Sequence, residues 1–286
     1  MRANPVAAWA KLEGLALFQP EKLGPEHAVE LGGLRAELGV VMAYGQILKD
    51  DFLAAPRLGF VNFHGSLLPA LRGATPVESA LAEGLDETGV SLQQVVRRLD
   101  AGPLHRSASI AVRSGEGRAS LRARLGELAG SLATAVLPEV LSGRSTPVPQ
   151  VEAQATYTRR LSRADAALDF RCEARTLANR VAALEGWPGS TFEHQGLVIK
   201  VGAATVEDES VPGIEPGTVH TADRRGVRVV CGRGVVVFTK LQRPAGKMLP
   251  AVEFLSGHPL TPGETLVSHP MPALVSVAPF PRPPRA

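Results

Sequence analysis

Residues 61–69 read VNFHGSLLP, an apolar strand that carries two polar side chains. Val61 and Phe63 suit a buried strand, whereas Asn62 and His64 alternate with them. Side chains in a strand point to opposite faces in turn, so Asn62 and His64 share one face. The stretch therefore predicts a core strand that presents an amide and an imidazole side by side.

The segments around this strand alternate between strand and helix patterns. Residues 38–44 (LGVVMAY) form an apolar run that predicts a strand buried on both faces. A helix is predicted after Thr75 as N-cap, with Pro76 at its first position, Glu78 completing a capping box and Gly84 at its end. Further strands are predicted at 88–96 and 104–112, and a long helix at 120–141. This order favours an α/β domain with a largely parallel sheet.

The pattern changes in the second half of the chain. Ser, Gly and Pro dominate residues 142–150, which predicts a linker at 148–164 between a domain at 1–147 and another at 165–265. The second domain has one predicted helix and several short strands with tight turns, which favours a small β-barrel of the oligonucleotide-binding type. The helix is predicted at 173–184 and the strands at 197–203, 217–222, 226–231 and 234–240. A proline-rich tail, 266–286, is predicted to be extended or disordered.

Composition excludes several classes of protein. The chain has 286 residues, of which 44% are hydrophobic, and charges interrupt every apolar run, so neither a membrane span nor a signal peptide is expected. Cys172 and Cys231 are too few and too far apart for a disulfide framework, which suits a reducing cytosol. The net charge of +3 does not by itself indicate nucleic-acid binding. Basic clusters lie in the C-terminal half, where a solvated surface is the more frequent explanation.

Polar residues that can carry chemistry stand where strands end. Asn62, His64 and Asp100 precede loops, and the carboxyl ends of strands converge in open α/β sheets. An amide can stabilise an oxyanion, an imidazole can move a proton and a carboxylate can orient either. By residue type alone, a structural histidine remains the more frequent explanation. No two histidines have metal-ligand spacing, and Ser66 is not in a G-x-S-x-G sequence.

Three strings of residues resemble the signature of the folate-dependent formyltransferase family. They are 62–69 (NFHGSLLP), 72–76 (RGATP) and 99–103 (LDAGP). The resemblance implies a Rossmann-like catalytic domain, in which His64 is general base and acid and Asn62 stabilises the oxyanion. It also implies that Asp100 orients His64 and an ordered water molecule.

The resemblance also implies a pocket for 10-formyltetrahydrofolate as formyl donor, without a metal. Residues 43–48 (AYGQIL) resemble the strand end that lines this pocket in the family. The implied folate-binding residues are Ala43, Tyr44, Gly45, Ile47, Leu48, Ser66, Leu67, Leu68, Pro69, Val96 and Arg97.

Three strings in the second half resemble the C-terminal domain of the family members that act on methionyl-tRNA. They are 157–170, 185–192 and 241–257. The implied reaction is formyl transfer to the α-amino group of methionine on initiator tRNA, by a monomer in the bacterial cytoplasm. Phosphate contacts by an OB-like basic barrel are expected to weaken with salt. The implied tRNA-binding residues are Arg72, Arg159, Arg160, Lys240, Arg243 and Lys247.

The first residues differ from the family pattern. Residues 5–23 resemble a segment that normally follows a strand, a helix, a second strand and a basic loop. We therefore expect a truncated parallel sheet and a misplaced start. Two alternatives stay open at this point: a non-catalytic folate- or RNA-binding remnant, and another formyl-folate-dependent formyltransferase or hydrolase.

Overall fold

The computed structural model describes residues 4–207 and 211–281. Residues 1–3 of the predicted first domain and 282–286 of the predicted tail lie outside this range, as do residues 208–210. The elements of the first half are α1 (Pro5–Leu12), α2 (Pro25–Gly33), β1 (Gly39–Met42), α3 (Asp50–Leu53), β2 (Phe60–His64), β3 (Arg72–Gly73), α4 (Pro76–Ala82), β4 (Glu87–Gln94), β5 (Leu104–Ala111) and α5 (Arg118–Leu141).

Four of these strands form one sheet in the order β1-β2-β4-β5. The predicted α/β class is confirmed, and β1 and β2 are parallel. The other two pairings are antiparallel, so the sheet is mixed rather than largely parallel. For β4 and β5 the reason is the short connection between them, since a parallel pair needs a longer crossover.

Strand β1 forms as predicted but is not buried on both faces. Val40 and Met42 are 50% and 54% exposed, because only one face of β1 packs inward; β1 is also at the edge of the sheet described here. An apolar run alone cannot tell an edge strand from a central one.

Helix α5 closes the core over the sheet, as its predicted pattern requires. Leu121, Leu125, Leu132 and Val136 are buried along one side and pack in the same cluster as Val61 of β2. This spacing of three to four residues keeps one stripe of the helix against the strands. None of the helices within the described ranges, α5 included, is both long and apolar enough to cross a membrane.

Helix α4 is confirmed between Thr75 and Gly84, but its predicted capping box does not form. The Thr75 hydroxyl donates instead to the Arg159 carbonyl oxygen at 2.7 Å. Glu78 is buried and pairs with Arg122 of α5. Gly84 has a φ of +65°, the left-handed conformation that ends helices. The side chains of Thr75 and Glu78 thus contact residues far away in the sequence and do not cap the helix.

The elements of the second half are β6 (Tyr157–Thr158), α6 (Ala174–Ala183), β7 (Ser190–His194), β8 (Leu197–Glu207), β9 (Val219–Asp223), β10 (Gly226–Val230), β11 (Val235–Gln242), β12 (Leu249–Pro250), α7 (Ala251–Gly257) and β13 (Val275–Ser276). The predicted helix and the four predicted strands are confirmed, whereas β7 was not predicted. Strands β7-β8-β11-β10-β9 form an antiparallel sheet, with β12 added on β11. Its core contains Phe192 stacked on Phe238 at 5.7 Å between ring centroids.

The segment predicted as a linker, 148–164, is built into the structure. Strand β6 in this segment pairs with β3 of the first half on one side and with β13 of the tail on the other. The described part of the tail, 266–281, is packed against the rest of the chain, since Leu274 is 1% exposed. Strand β13 therefore lies where the two halves meet.

A buried ion cluster holds the start of the second half. Asp165 is fully buried and accepts hydrogen bonds from Arg159 at 2.6 Å and Arg180 at 3.4 Å. Burial alone would raise the pKa of Asp165, but hydrogen bonds from Arg159 and the Ser162 backbone hold this pKa below its usual value. Because the pKa is lowered by folding, the stabilisation is complete near neutral pH and is lost only as the pH falls through the acid range of carboxylates.

The packing of the tail predicts a clear effect of Leu274→Ala. Removing this buried side chain should lower the free energy of unfolding by about 2–4 kcal/mol. Val277, three residues further along, is 86% exposed, so Val277→Ala is the matched control and should stay close to wild type. Urea unfolding of both variants checks this, and equal midpoints would show that the tail does not pack in solution.

Candidate active site

Strand β2 positions the two polar side chains as the alternation predicts. Val61 and Phe63 are buried in the core, and Asn62 and His64 lie on the other face. His64 is 6% exposed, whereas Asn62 is half-buried. Within the described residues, no partner accepts a hydrogen bond from the Asn62 amide, so its N–H groups can bind a further acceptor.

The ring of His64 has a defined orientation. Its Nε2 lies 2.9 Å from the Leu71 carbonyl oxygen, which can only accept, so Nε2 carries the proton in this contact. In the neutral ring the lone pair is then on Nδ1. That atom lies 3.7 Å from Oδ2 of Asp100, too far for a direct hydrogen bond but close enough for charge attraction. His64 can therefore accept a proton at Nδ1 and become an imidazolium beside a carboxylate.

The carboxylate of Asp100 is fixed by two donors. The Gly73 backbone N–H donates to Oδ2 and the Gln93 side-chain amide donates to Oδ1, both at 2.9 Å. Asp100 itself has a φ of +50°, a conformation that is uncommon outside glycine. Such a residue persists where its surroundings hold it, which is frequent at functional sites.

The loop that contacts His64 is held from outside the first half. Leu71 has a φ of +59°, and its backbone N–H donates to the Thr156 hydroxyl at 2.8 Å. The next residue, Arg72, donates its N–H to the Thr156 carbonyl oxygen, also at 2.8 Å. Thr156 lies in the segment 148–164, so this segment helps to set the position of the carbonyl group that orients His64.

The predicted tRNA contact of Arg72 does not agree with the structure. The side chain is 1% exposed, and its guanidinium bonds Gln150 at 2.8 Å and Glu152 at 3.0 Å. Hydrogen bonding by Arg72 contributes most to a lowered pKa of Glu152, with Arg98 adding to it and burial opposing it. A guanidinium in this position cannot reach a phosphate, so we assign Arg72 a structural role.

The other basic residues expected to contact tRNA fall into two groups. Arg159 is half-buried and neutralised by Asp165, so its charge is already paired. The remaining four are exposed: Arg160, Lys240, Arg243 and Lys247. Arg160 also reaches back to the first half, where it donates to the Gly45 carbonyl oxygen at 3.4 Å.

Most of the residues expected to bind folate lie in two loops that meet. One loop follows β1 and the other follows β4, and an ion pair of 3.5 Å between Arg97 and Asp50 joins them. The exposed members are Ala43, Tyr44, Gly45, Ile47, Val96 and Arg97, and Leu48 is half-buried. These residues form an open, partly apolar surface after the ends of β1 and β4, the two strands that flank β2.

The remaining folate-binding candidates form the turn after β2. Leu67 and Pro69 are half-buried and Leu68 is buried. Ser66 is 1% exposed and its hydroxyl donates to the Ala70 carbonyl oxygen at 2.6 Å. The Ser66 hydroxyl is thus occupied by the turn itself, and its binding role stays a prediction.

Three residues of the site were not identified from the sequence. Gln93 holds Asp100, and Gln150 donates to the carbonyl oxygens of Asp100 at 2.9 Å and Gly102 at 2.7 Å. Thr156 holds the loop at Leu71. Polar alternation along β4 would have indicated Gln93, whereas Gln150 and Thr156 reach the site through long-range contacts that leave no local signal.

Two other kinds of catalytic group, a metal ion and a cysteine thiolate, have little support among the described residues. Among them, no group of three or more His, Cys, Asp or Glu side chains is placed to hold a metal ion. Both cysteines are free thiols, and burial raises the pKa of Cys231 to about 11, which disfavours a thiolate nucleophile. The chemistry that the site supports is proton transfer beside an amide donor.

Comparison with protein families gives the class of the chain. Residues 1–140 match the formyl transferase family, and residues 160–259 match the formyl transferase C-terminal domain. These two matches follow the two halves seen in the structure and define a two-domain formyl transferase.

Individual relatives indicate to which branch of the formyl transferases the chain belongs. The chain is 38% identical over 258 residues to a methionyl-tRNA formyltransferase of Methylococcus capsulatus, which covers 90% of this chain and 83% of the relative. It is also 38% identical over 260 residues to a methionyl-tRNA formyltransferase of Halorhodospira halophila, with 91% and 84% covered. The chain therefore belongs to the methionyl-tRNA formyltransferase family.

Solved structures share the fold at low sequence identity. The sugar 3N-formyl transferase WlaRD superposes with a TM-score of 0.64 at 12% identity, covering 83% of this chain and 81% of its own. HypX from Aquifex aeolicus gives a TM-score of 0.62 at 17% identity, covering 87% of this chain and 45% of its own. The same architecture thus occurs in proteins that differ widely in sequence.

The close contact at Gly73 predicts that Gly73→Ala disrupts the site. Gly73 has a φ of +115°, and an added Cβ would lie well inside van der Waals contact with the Thr158 carbonyl oxygen of β6. Gly115 also has a positive φ, +69°, but no atom within 4 Å of an added Cβ. Gly115→Ala should therefore lower the free energy of unfolding by only about 1–2 kcal/mol.

The Gly73 variant should lose clearly more stability than this control, because the backbone strain at a positive φ and the collision of the new Cβ with Thr158 add. Urea unfolding of the two variants measures the difference. Equal losses would mean that the β3–β6 pairing is looser than the structure indicates.

Proposed function

We propose that this chain transfers the formyl group of 10-formyltetrahydrofolate to the α-amino group of methionine esterified to initiator tRNA. The observation that carries the proposal is the convergence of Asn62, His64 and Asp100 on one side of β2, where His64 lies beside Asp100 and shares a strand face with Asn62. This convergence occurs in a chain that matches methionyl-tRNA formyltransferases along both halves.

The geometry supports a route through a tetrahedral intermediate. The amine attacks the formyl carbon while Nδ1 of His64, which carries the lone pair, takes the proton released from nitrogen. The carbonyl oxygen becomes an oxyanion, for which the unengaged Asn62 amide is a donor. When the carbon–nitrogen bond to the folate breaks, His64 returns its proton to the departing nitrogen, and the ring is neutral again.

Asp100 acts on this route through the imidazole. At 3.7 Å from Nδ1, its carboxylate favours the imidazolium that forms during attack. The separation also leaves room for a bridging donor such as the nucleophile or a water molecule. The two hydrogen bonds from Gly73 and Gln93 keep the carboxylate in place, so little reorganisation is needed as charge develops.

Folate binding is proposed for the surface formed by the loops after β1 and β4. Tyr44, Ile47 and Val96 offer exposed apolar area to a pteridine ring, and Arg97 offers a cation to carboxylates. Support comes from the solved relatives of the same fold, since HypX was crystallised with tetrahydrofolic acid and WlaRD with 5-N-formyl-THF. The other candidates in these loops and in the turn 66–69 complete the proposed pocket.

Binding of tRNA is proposed for the exposed cations of the second half. Arg160, Lys240, Arg243 and Lys247 stay accessible, whereas Arg72 and Arg159 are withdrawn by burial and pairing. We further propose a monomer that works in the bacterial cytoplasm, where charged initiator tRNA and reduced folates are present.

Replacing His64 tests the chemistry. His64→Ala should lower the rate of formylation of charged initiator tRNA by about 100- to 10,000-fold, because the proton acceptor is lost. His220→Ala is the control, since His220 is half-buried in β9 of the other half and should keep the wild-type rate. The assay follows formyl-methionine released from tRNA with 10-formyltetrahydrofolate as donor.

Two results would contradict the proposal. Equal rates for wild type and His64→Ala would exclude His64 as the proton acceptor. A wild-type chain that binds tRNA or folate without formylation would favour a non-catalytic binding protein instead.

The tRNA surface is tested by salt dependence. The double variant Lys240→Gln, Lys247→Gln should bind tRNA more weakly and reduce the slope of log affinity against log salt concentration by about two. Arg144→Gln removes an exposed cation of the first half and should leave this slope unchanged. A slope that is the same in the double variant would place the phosphate contacts elsewhere.

A further inference from the structure

Gln93 lies on the same face of the sheet as the proposed catalytic residues. In the antiparallel pairing of β2 and β4, Gln93 is opposite Asn62, and Ser91 is opposite His64. Residues that face each other across such a pair point to the same side. Gln93 is 2% exposed, so its polar side chain is enclosed at the floor of the site.

The orientation of the Gln93 amide follows from its partner. Oδ1 of Asp100 lies 2.9 Å from the terminal group of Gln93, and an ionised carboxylate only accepts. The NH2 group must therefore face Asp100, which leaves the Gln93 carbonyl oxygen, Oε1, turned away from it.

This oxygen is unusual for a buried acceptor. Within the described residues, Oε1 of Gln93 receives no hydrogen bond, although it is fully enclosed. A buried polar atom without a partner is unfavourable, so a hydrogen bond from a nearby donor would stabilise the structure. Asn62 is the residue opposite, and its amide has two N–H groups that are not engaged.

We propose that Gln93 is a positioning residue that joins Asp100 to Asn62. Its NH2 group holds the carboxylate, and its Oε1 accepts one N–H of Asn62, so that the other N–H of Asn62 points at the formyl oxygen. This inference rests on the proposed function. Hydrogen bonds at catalytic sites often tighten only when substrate is bound, and this one would form as Asn62 turns to the oxyanion.

The neighbouring residue provides a matched control. Gln94 is on the opposite face of the same strand, where it donates to the Leu58 carbonyl oxygen at 3.1 Å and contacts His105 at 3.2 Å. Gln93→Met and Gln94→Met therefore remove the same group from the same strand; the first loses one side-chain hydrogen bond seen in the structure and the second loses two. Only the Gln93 variant alters the site.

Kinetics of formylation test the proposal. Gln93→Met should lower kcat by about 10- to 100-fold, because even a small displacement of the reacting groups slows the reaction by this much. The KM for methionyl-tRNA and for 10-formyltetrahydrofolate should stay unchanged, and Gln94→Met should keep the wild-type kcat. Unfolding midpoints of both variants verify that each is folded.

A second variant separates positioning from packing. Gln93→Glu keeps an acceptor for Asn62 but sets a carboxylate against Asp100, and two close carboxylates bind a shared proton more strongly. The ionised Asp100 that the proposed route uses would then form only at higher pH, so the acid limb of the pH profile of kcat should move to higher pH than in wild type. A purely structural role for Gln93 would leave the profile in place.

The outcomes are distinct. If wild type formylates and Gln93→Met has the same kcat as Gln94→Met, the inference about Gln93 is overturned while the proposed function stands. If wild type does not formylate, the proposed function fails, and NMR of the Asn62 side-chain amide with 10-formyltetrahydrofolate present decides the role of Gln93. A resonance moved by Gln93→Met but not by Gln94→Met supports the link to Asn62, and a resonance moved by neither overturns it.

Discussion

Burial of the Arg72 guanidinium is the constraint on which the rest of the site depends. A charged group that is 1% exposed is tolerated only if partners satisfy it, and here these are Gln150 and Glu152. Both partners belong to the segment after α5, so this segment must lie against the loop that contains Arg72. The same loop supplies the Leu71 carbonyl oxygen to His64 and the Gly73 N–H to Asp100.

The geometry around His64 in the first half is therefore completed by residues from elsewhere in the chain. Strand β6 pairs with β3 beside the site, and β13 from the tail pairs with β6 in turn. The buried carboxylate of Asp165 binds Arg159, whose side chain also donates to the Ala273 carbonyl oxygen at 3.0 Å. Three short strands, β3, β6 and β13, thus connect the tail to the residues beside His64 without involving the sheet of the first half.

Three errors of the sequence-based predictions share one physical cause. Arg72, Thr75 and Glu78 have side chains whose local roles are well known, namely phosphate contact, helix cap and capping box. In the structure each of these side chains instead contacts a residue far away in the sequence. Arg72 pairs with Glu152, the Thr75 hydroxyl bonds Arg159 and Glu78 pairs with Arg122. A buried polar group takes the partner that the folded chain brings to it, and that partner cannot be found by local spacing.

The sequence by itself determined helices α4, α5 and α6 and strands β1, β2, β4, β5 and β8 to β11. It also determined that Asn62 and His64 share a face, because these features follow from local periodicity. It also contained the family signature. Only the tertiary structure decided that β1 is exposed at an edge, that the tail packs at Leu274 and that Gln93 and Asp100 meet. These features depend on strand pairing and burial that no single segment specifies.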